Sequence, residues 1–209
     1  MDQRILITAG PTHEPIDAVR FLGNRSSGKL GIALAREALA RGADVTLLLG
    51  PVCAEAPAGV RTSRFRTTSD LQALLKEHGP SADVVIMAAA VADYRPKAVQ
   101  TDGKIKRAAA GLTLELEATP DLLAELGSNR REGQRLIGFA LEPRDRLVES
   151  AKSKLERKRV DAIVANELET MDAETIRATV FTKTRSIDTP GMLHKTAFAP
   201  WLLDVIAGM

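Results

Sequence analysis

The sequence predicts an α/β fold: a Rossmann-like, doubly wound, mostly parallel sheet with helices on both faces and a hairpin or flap excursion. Three observations predict it. Short apolar runs, of the kind buried on both faces of a parallel sheet, alternate with helical stretches from Ile5 to Met87. A loop rich in glycine and serine, Gly23 to Gly31, opens onto the first of those helices. The alternation resumes at Arg135 after a polar interval without apolar period, so residues 1–209 read as one domain with a flap over roughly 94–111.

Each element has a local reason. Ile5-Leu6-Ile7-Thr8 is a short apolar strand, and a long polar loop is expected from Ala9 to Ser27. Leu30, Ala33, Leu34, Ala38 and Leu39 recur at helical spacing. Gly42 ends that helix, as a residue free to take positive φ does. Asp44 to Leu49 is the second strand and Val60 to Phe65 a short third. Ser69 suits the N-cap of a helix through Leu71, Leu74 and Leu75. Asp83 to Met87 is another strand, ending in Ala88-Ala89-Ala90. Tyr94 to Gly111 is exposed loop or hairpin, and Leu112 to Leu116 alternates like a half-buried strand. Pro120 suits the first turn of a helix. Strands follow at Arg135–Ala140, Asp161–Ala165 and Ala178–Thr182, with a charged helix from Asp145 to Lys158 and a closing helix from Lys195 to Ile206.

Composition excludes several classes. The chain has 209 residues, 44% apolar and 27% charged, as soluble globular proteins do. A net charge of +2 and 3% aromatics argue against nucleic acid as partner, which calls for a basic stripe with stacking platforms. Cys53 is the single cysteine, so no intrachain disulfide can form. No apolar run is long enough to span a bilayer and no signal-peptide core opens the chain, so a cytoplasmic protein without a membrane partner is expected. His13, His78 and His194 are scattered and form no metal-ligand spacing, so no metal held by the protein itself is expected.

The loop Gly23-Asn24-Arg25-Ser26-Ser27-Gly28-Lys29-Leu30-Gly31 is one residue away from a phosphate-binding P-loop. That motif needs Ser or Thr after the lysine to hold Mg²⁺, and Leu30 cannot. Backbone N–H groups and the hydroxyls of Ser26 and Ser27 at a helix N-terminus still suit a phosphate, or simply a cap. Ligands of open α/β sheets bind beyond the carboxyl ends of the strands. Ala9-Gly10-Pro11-Thr12, Ala88 to Asp93, Phe139-Ala140-Leu141-Glu142 and Ala165-Asn166-Glu167 fall there. Asn24 reads as a turn residue or as an amide donor to a developing oxyanion. Lys104-Ile105-Lys106-Arg107 reads as a solvated surface run or as an arm that closes over phosphates. Lys154 and Lys158, one helical turn apart, read as a charged face or as partners of a polyphosphate.

Taken together, these segments resemble the phosphopantothenate–cysteine ligases, found in bacteria as the ligase domain of a bifunctional coenzyme A biosynthesis protein. The resemblance rests on Ile5 to Thr12, Val19-Arg20-Phe21, Asn24 to Gly31, Ala88 to Tyr94, Lys104 to Arg107, Thr119-Pro120-Asp121, Gly138-Phe139-Ala140 and Val164-Ala165-Asn166, in family order. It implies a reaction in which 4′-phosphopantothenate attacks CTP, releasing pyrophosphate, and L-cysteine then captures the acyl-cytidylate. It implies CTP as co-substrate, Mg²⁺ arriving with the nucleotide, no flavin, no decarboxylation by this stretch, and a homodimer. By residue, it implies that Asn24 and Lys104 are catalytic, with Asn24 holding the pantothenoyl carbonyl. Arg20, Asn24, Ala89, Ala90 and Asp93 would bind phosphopantothenate, Arg20 across the dimer interface. Gly10, Ser26, Gly28, Gly31, Met87, Ala88, Ala89, Asp93, Lys104, Pro120, Asp121, Phe139, Lys154, Lys158 and Asn166 would bind the nucleotide. Arg107 stands where the family's basic run ends in lysine, which keeps the charge but not a compact ammonium.

Two rival readings are weaker. A nicotinamide-dependent reductase needs G-x-G-x-x-G after the first strand, and Thr8-Ala9-Gly10-Pro11-Thr12-His13 lacks it. A non-catalytic nucleotide-binding module would have the same loop but release no pyrophosphate.

Overall fold

The computed structural model describes residues 3–99, 102–107, 109, 111–168 and 173–209. Residues 100, 101, 108 and 110 of the expected flap lie outside them. In chain order come β1 (Arg4–Ala9), β2 (His13–Pro15), β3 (Phe21–Gly23), α1 (Lys29–Ala40), β4 (Asp44–Leu49) and β5 (Arg61–Arg64). Then follow α2 (Thr68–His78), β6 (Val84–Met87), β7 (Tyr94–Pro96), β8 (Leu116–Ala118), α3 (Leu122–Asn129) and β9 (Arg135–Glu142). The chain closes with α4 (Leu147–Arg157), β10 (Ala162–Glu167), β11 (Thr175–Ile176), β12 (Ala178–Thr182), β13 (Ser186–Asp188), β14 (Leu193–His194) and α5 (Lys195–Ala207).

One sheet runs in the order β13-β12-β10-β9-β6-β1-β4-β5. It is parallel from β10 to β5, while β12 and β13 add on antiparallel. Alternate side chains of each strand feed two cores, as the strand period of two requires. Ile5, Ile7 and Ala9 of β1 pack with Val45, Leu47 and Leu49 under α1 and α5. Leu6 packs with Leu48, Val85 and Leu136 on the other face, with side chains of α2, α3 and α4. Two helix layers thus cover a sheet that is apolar on both sides, the doubly wound arrangement expected from the sequence. β1 lies between β4 and β6, so the chain leaves it in one direction and later returns on its other side. The crevice beyond the ends of β1 and β6 is the switch point where ligands enter such sheets.

The structure departs from the sequence expectations at short elements. The polar loop after β1 contains the hairpin β2–β3, whose His13 and Phe21 rings stack 3.6 Å apart. Helix α2 is capped by Thr67, not Ser69: Thr67 Oγ1 accepts from the Asp70 amide, 3.1 Å, and Asp70 Oδ2 from the Thr67 amide, 2.8 Å. This reciprocal capping box outcompetes a lone serine. Helix α3 begins after Asp121, whose carboxylate accepts from the Ala124 amide, so Pro120 precedes the cap. The half-buried strand expected at Leu112–Leu116 is only its last residue, extended to Ala118 and paired with β7.

At the opposite end of the sheet Asp83 ties β1 to the turn before β9. Its carboxylate accepts from the Arg4 amide, 3.0 Å, and guanidinium, 2.8 Å, and from Arg131. The Arg4 guanidinium, its amide and Arg131 hold the Asp83 carboxyl well below the usual carboxylate range. A carboxyl depressed in the folded state contributes stability above its unfolded pKa of about 4, lost as pH falls through and below that value. Thermal midpoints of the wild type and Asp83→Asn should therefore differ at pH 7 and converge toward pH 3, the wild type losing more.

Candidate active-site cleft

The switch-point crevice is a cavity of about 660 Å³, lined by the β3–α1 loop, the first turn of α1, residues 87–93, 119–123, and side chains from β9, β10, β11, α4 and α5. Its floor is set by close approach. A Cβ on Gly31 would stand 2.5 Å from the Ala9 Cβ, so glycine alone lets α1 lie on the end of β1. Gly28 turns the chain into the helix at φ 70°, a left-handed conformation that glycine takes without steric cost. Neither Ser26 nor Ser27 caps α1, and no acidic side chain sits in its first turn. The helix therefore presents the positive end of its dipole without a side-chain cap, which favours an anion.

The facing wall, Ala88 to Asp93, is stitched to the β1 end almost wholly through backbone and threonine hydroxyls. The Ala90 amide donates to the Gly10 carbonyl, 2.9 Å, and the Thr12 amide to the Ala90 carbonyl, 3.1 Å. The Ala89 amide donates to Thr8 Oγ1, 3.0 Å, and the Ala92 amide to Thr12 Oγ1, 2.9 Å. Thr119 Oγ1 donates to the Ala92 carbonyl, 2.5 Å, which brings Pro120 and Asp121 to the same rim. Thr68 Oγ1 and amide both donate to the buried Glu14 carboxylate, 2.7 Å, anchoring β2 beneath this wall. Asn24 bridges loop and wall: its Nδ2 donates to the Val91 carbonyl, 2.9 Å, which fixes the amide and leaves its second N–H for another acceptor.

Five cationic side chains line the cleft among the described residues, Arg25, Lys29, Lys154, Lys158 and Lys195, against two carboxylates, Asp93 and Asp121. Several are already paired. Lys154 Nζ lies 2.8 Å from Glu142 Oε1, and Lys158 Nζ 3.1 Å from Asp121 Oδ1. Lys29 pairs with Glu174. The Lys154 ammonium, helped by the Ser150 hydroxyl, lowers the Glu142 carboxyl, and Lys29 lowers Glu174.

The fold brings most of the sequence candidates together. Asn24, Ser26, Gly28, Gly31, Met87, Ala88, Ala89, Ala90, Asp93, Pro120, Asp121, Phe139, Lys154, Lys158 and Asn166 all line this cleft. Three do not. Gly10 lies behind Gly28, at φ 84° and against Val52. Arg20 and Lys104 sit together beyond the rim, Arg20 on Asp17 and the Ile105 carbonyl. The sequence alone does not mark Lys195 and Ile176, which reach the cleft only through folding of the last third of the chain, whereas Leu141 lies in the strand-end segment 139–142 expected to face ligands. Lys29 was visible in the loop motif but had no role assigned there.

Among the described residues no three His, Cys, Asp or Glu side chains are grouped to hold a metal ion, and no helix is long and apolar enough to cross a membrane.

The whole chain, residues 1–209, matches the DNA/pantothenate metabolism flavoprotein C-terminal domain. The chain belongs to that family. A member of it, the coenzyme A biosynthesis bifunctional protein CoaBC of Mycobacterium tuberculosis, is 45% identical over 174 residues, 78% of this chain and 41% of the relative. A relative from an unknown prokaryotic organism, named cysteine/cysteine sulfinic acid decarboxylase, is 44% identical over 191 residues, 89% of this chain and 53% of the relative. The chain thus spans about half the length of these relatives. The crystal structure of the C-terminal domain of CoaBC matches with TM-score 0.83 at 40% identity, covering 98% of this chain and 93% of that one. The DNA/pantothenate metabolism flavoprotein from Streptococcus pneumoniae matches with TM-score 0.85 at 26% identity, covering 99% of each. The fold described above is the fold of this family.

Replacing Gly31 by alanine forces α1 off β1, since the obstructing atoms are the Cβ and backbone of Ala9. Overpacking of this kind costs about 1–3 kcal/mol, and a chain of this size loses roughly 2–4 °C of thermal midpoint per kcal/mol. Calorimetry of Gly31→Ala should show a midpoint lowered by about 2–12 °C.

Proposed function

We propose that this chain joins 4′-phosphopantothenate to L-cysteine, using CTP to activate the acid, as the ligase part of coenzyme A biosynthesis. The observation that carries the reading is the cleft itself: an uncapped helix N-terminus and five cations face a fixed carboxamide, Asn24. Family membership and 45% identity to a coenzyme A biosynthesis protein support it. The decarboxylase name of the other relative belongs to a protein of which this chain covers 53%.

In the first step a carboxylate oxygen of phosphopantothenate attacks the α-phosphorus of CTP. The bond to the bridging oxygen breaks and pyrophosphate leaves. Charge grows on the leaving group, and the first turn of α1 with Lys29, Lys154 and Lys158 lowers that cost. Phosphate oxygens take over from Glu142, Asp121 and Glu174 as partners of these lysines. In the second step the amine of cysteine attacks the acyl carbon, the bond from that carbon to the phosphate oxygen breaks, CMP leaves with the oxygen, and the amine gives up a proton to solvent. The free N–H of Asn24 donates to the acyl oxygen as it becomes anionic. Mg²⁺, a hard cation that keeps several waters, would neutralise part of the triphosphate charge, and Asp93 and Asp121 are the carboxylates lining the cleft that could hold it.

The reading includes a homodimer. The β2–β3 and β7–β8 hairpins adjoin through β2 and β7 and expose Val19, Phe21, Tyr94 and Leu116 beside Arg20. A second copy covering this apolar surface brings Arg20 to its neighbour's pantothenate phosphate.

Pyrophosphate release measured with each of the four nucleoside triphosphates tests the whole reading. It should require phosphopantothenate and be greatest with CTP; release independent of the acid, or none, overturns the proposal. Asn24→Asp should still form acyl-cytidylate in a quenched reaction but lose roughly 10²–10³-fold in capture by cysteine, the effect of removing one oxyanion donor. Lys104→Gln should raise KM for CTP with the fold unchanged, read by steady-state kinetics and circular dichroism.

A further inference from the structure

Arg20 and the basic run Lys104–Arg107 are far apart in sequence, and neither lines the cleft. One residue joins them. The Asp17 side chain is fully buried although its turn stands at the surface between β2 and β3. It accepts from the amides of Val19, 2.9 Å, Arg20, 2.7 Å, and Ile105, 3.0 Å. Arg20 adds Nε, 2.9 Å, and Nη2 to the same carboxylate. Arg20 Nη2 also donates to the Ile105 carbonyl, 2.9 Å, and the Ala18 amide donates to the Gly103 carbonyl, 3.1 Å. The arm is therefore bound along its backbone from Gly103 to Ile105. Ile105 is half-buried, while Lys104, Lys106 and Arg107 are exposed.

We propose that Asp17 is a positioning residue that latches the basic arm onto the turn bearing Arg20, so that arm and arginine are set by one carboxylate. Only an ionised carboxylate satisfies the site. All five groups facing it are donors, and a carboxylate is an acceptor on both oxygens. An asparagine would turn its NH₂ against at least two of them. The Arg20 side chain is 40% exposed while its Nε and Nη2 hold the latch, which leaves Nη1 as the guanidinium nitrogen outside it. An anion binding Nη1 acts on the arm through a shared group, which couples the two halves of the basic surface. The kinetic consequence rests on the ligase reading above; the latch itself does not.

Limited trypsin digestion of the whole chain tests the latch without turnover. Cleavage after Lys104, Lys106 and Arg107 should be roughly tenfold or more faster in Asp17→Asn, the loss expected when hydrogen bonds to a charged group are removed. Cleavage after Arg135, inside β9, gauges global opening and should not change. Equal cleavage of the arm in both proteins overturns the proposal. If the variant opens throughout, amide exchange of the wild type decides. The Ile105 and Ala18 amides should exchange roughly tenfold or more slowly than that of Arg107, and equal rates overturn the latch. In CTP-dependent turnover Asp17→Asn should raise KM for CTP with kcat held within about threefold, whereas a fall in kcat alone would refute a positioning role. A wild type that releases no pyrophosphate sinks the ligase reading and leaves the digestion and exchange results as they are.

Discussion

The approach of α1 to the end of β1 is the constraint from which the cleft follows. Ala9 and Gly31 meet at a distance that excludes any side chain on the helix, and Gly28 supplies the left-handed turn that starts it. These two glycines put a helix N-terminus, free of side-chain caps, at the topological switch of a parallel sheet. A larger residue at either place would displace the helix or bend its start. The loop carrying Asn24 would then lose its bond to Val91, and the facing wall its partner.

The electrostatics of the cleft are arranged for exchange. Lys154, Lys158 and Lys29 are held by Glu142, Asp121 and Glu174, all partly exposed. Ion pairs in such surroundings contribute about 0–1 kcal/mol each. They order the lysines while leaving them readily able to change partners. Arg25, Lys195 and the N-terminal end of α1 add positive charge to the same cleft from both ends of the chain.

Polar side chains that look like surface residues do much of the structural joining. Thr8, Thr12, Glu14 and Thr68 are buried, and each bonds a backbone amide, a hydroxyl or a sulfur of a segment distant in sequence. Asp17 does the same for the basic arm. Their sequence context is a run of polar residues after β1, which reads as loop. Hairpin β2–β3 lies in it unseen, because a strand of three residues shows too few side chains to reveal a period of two.

The amino-acid order alone determined the parallel sheet, the helix α1 and the glycine- and serine-rich loop before it. Each rests on periodicity or on glycines spaced within one local segment, and local patterns survive in one dimension. It also marked Asn24, Lys154, Lys158 and the Ala88–Asp93 wall as candidates that the fold gathers into one cleft. Only tertiary structure decided that Lys195 and Ile176 join them, that Gly10 sits behind Gly28, and that Asp17 binds Ile105 across eighty-eight positions. Those relations depend on where crossovers return the chain and on single carboxylates meeting distant amides. Neither leaves a repeat or a spacing for a reader of the sequence to find.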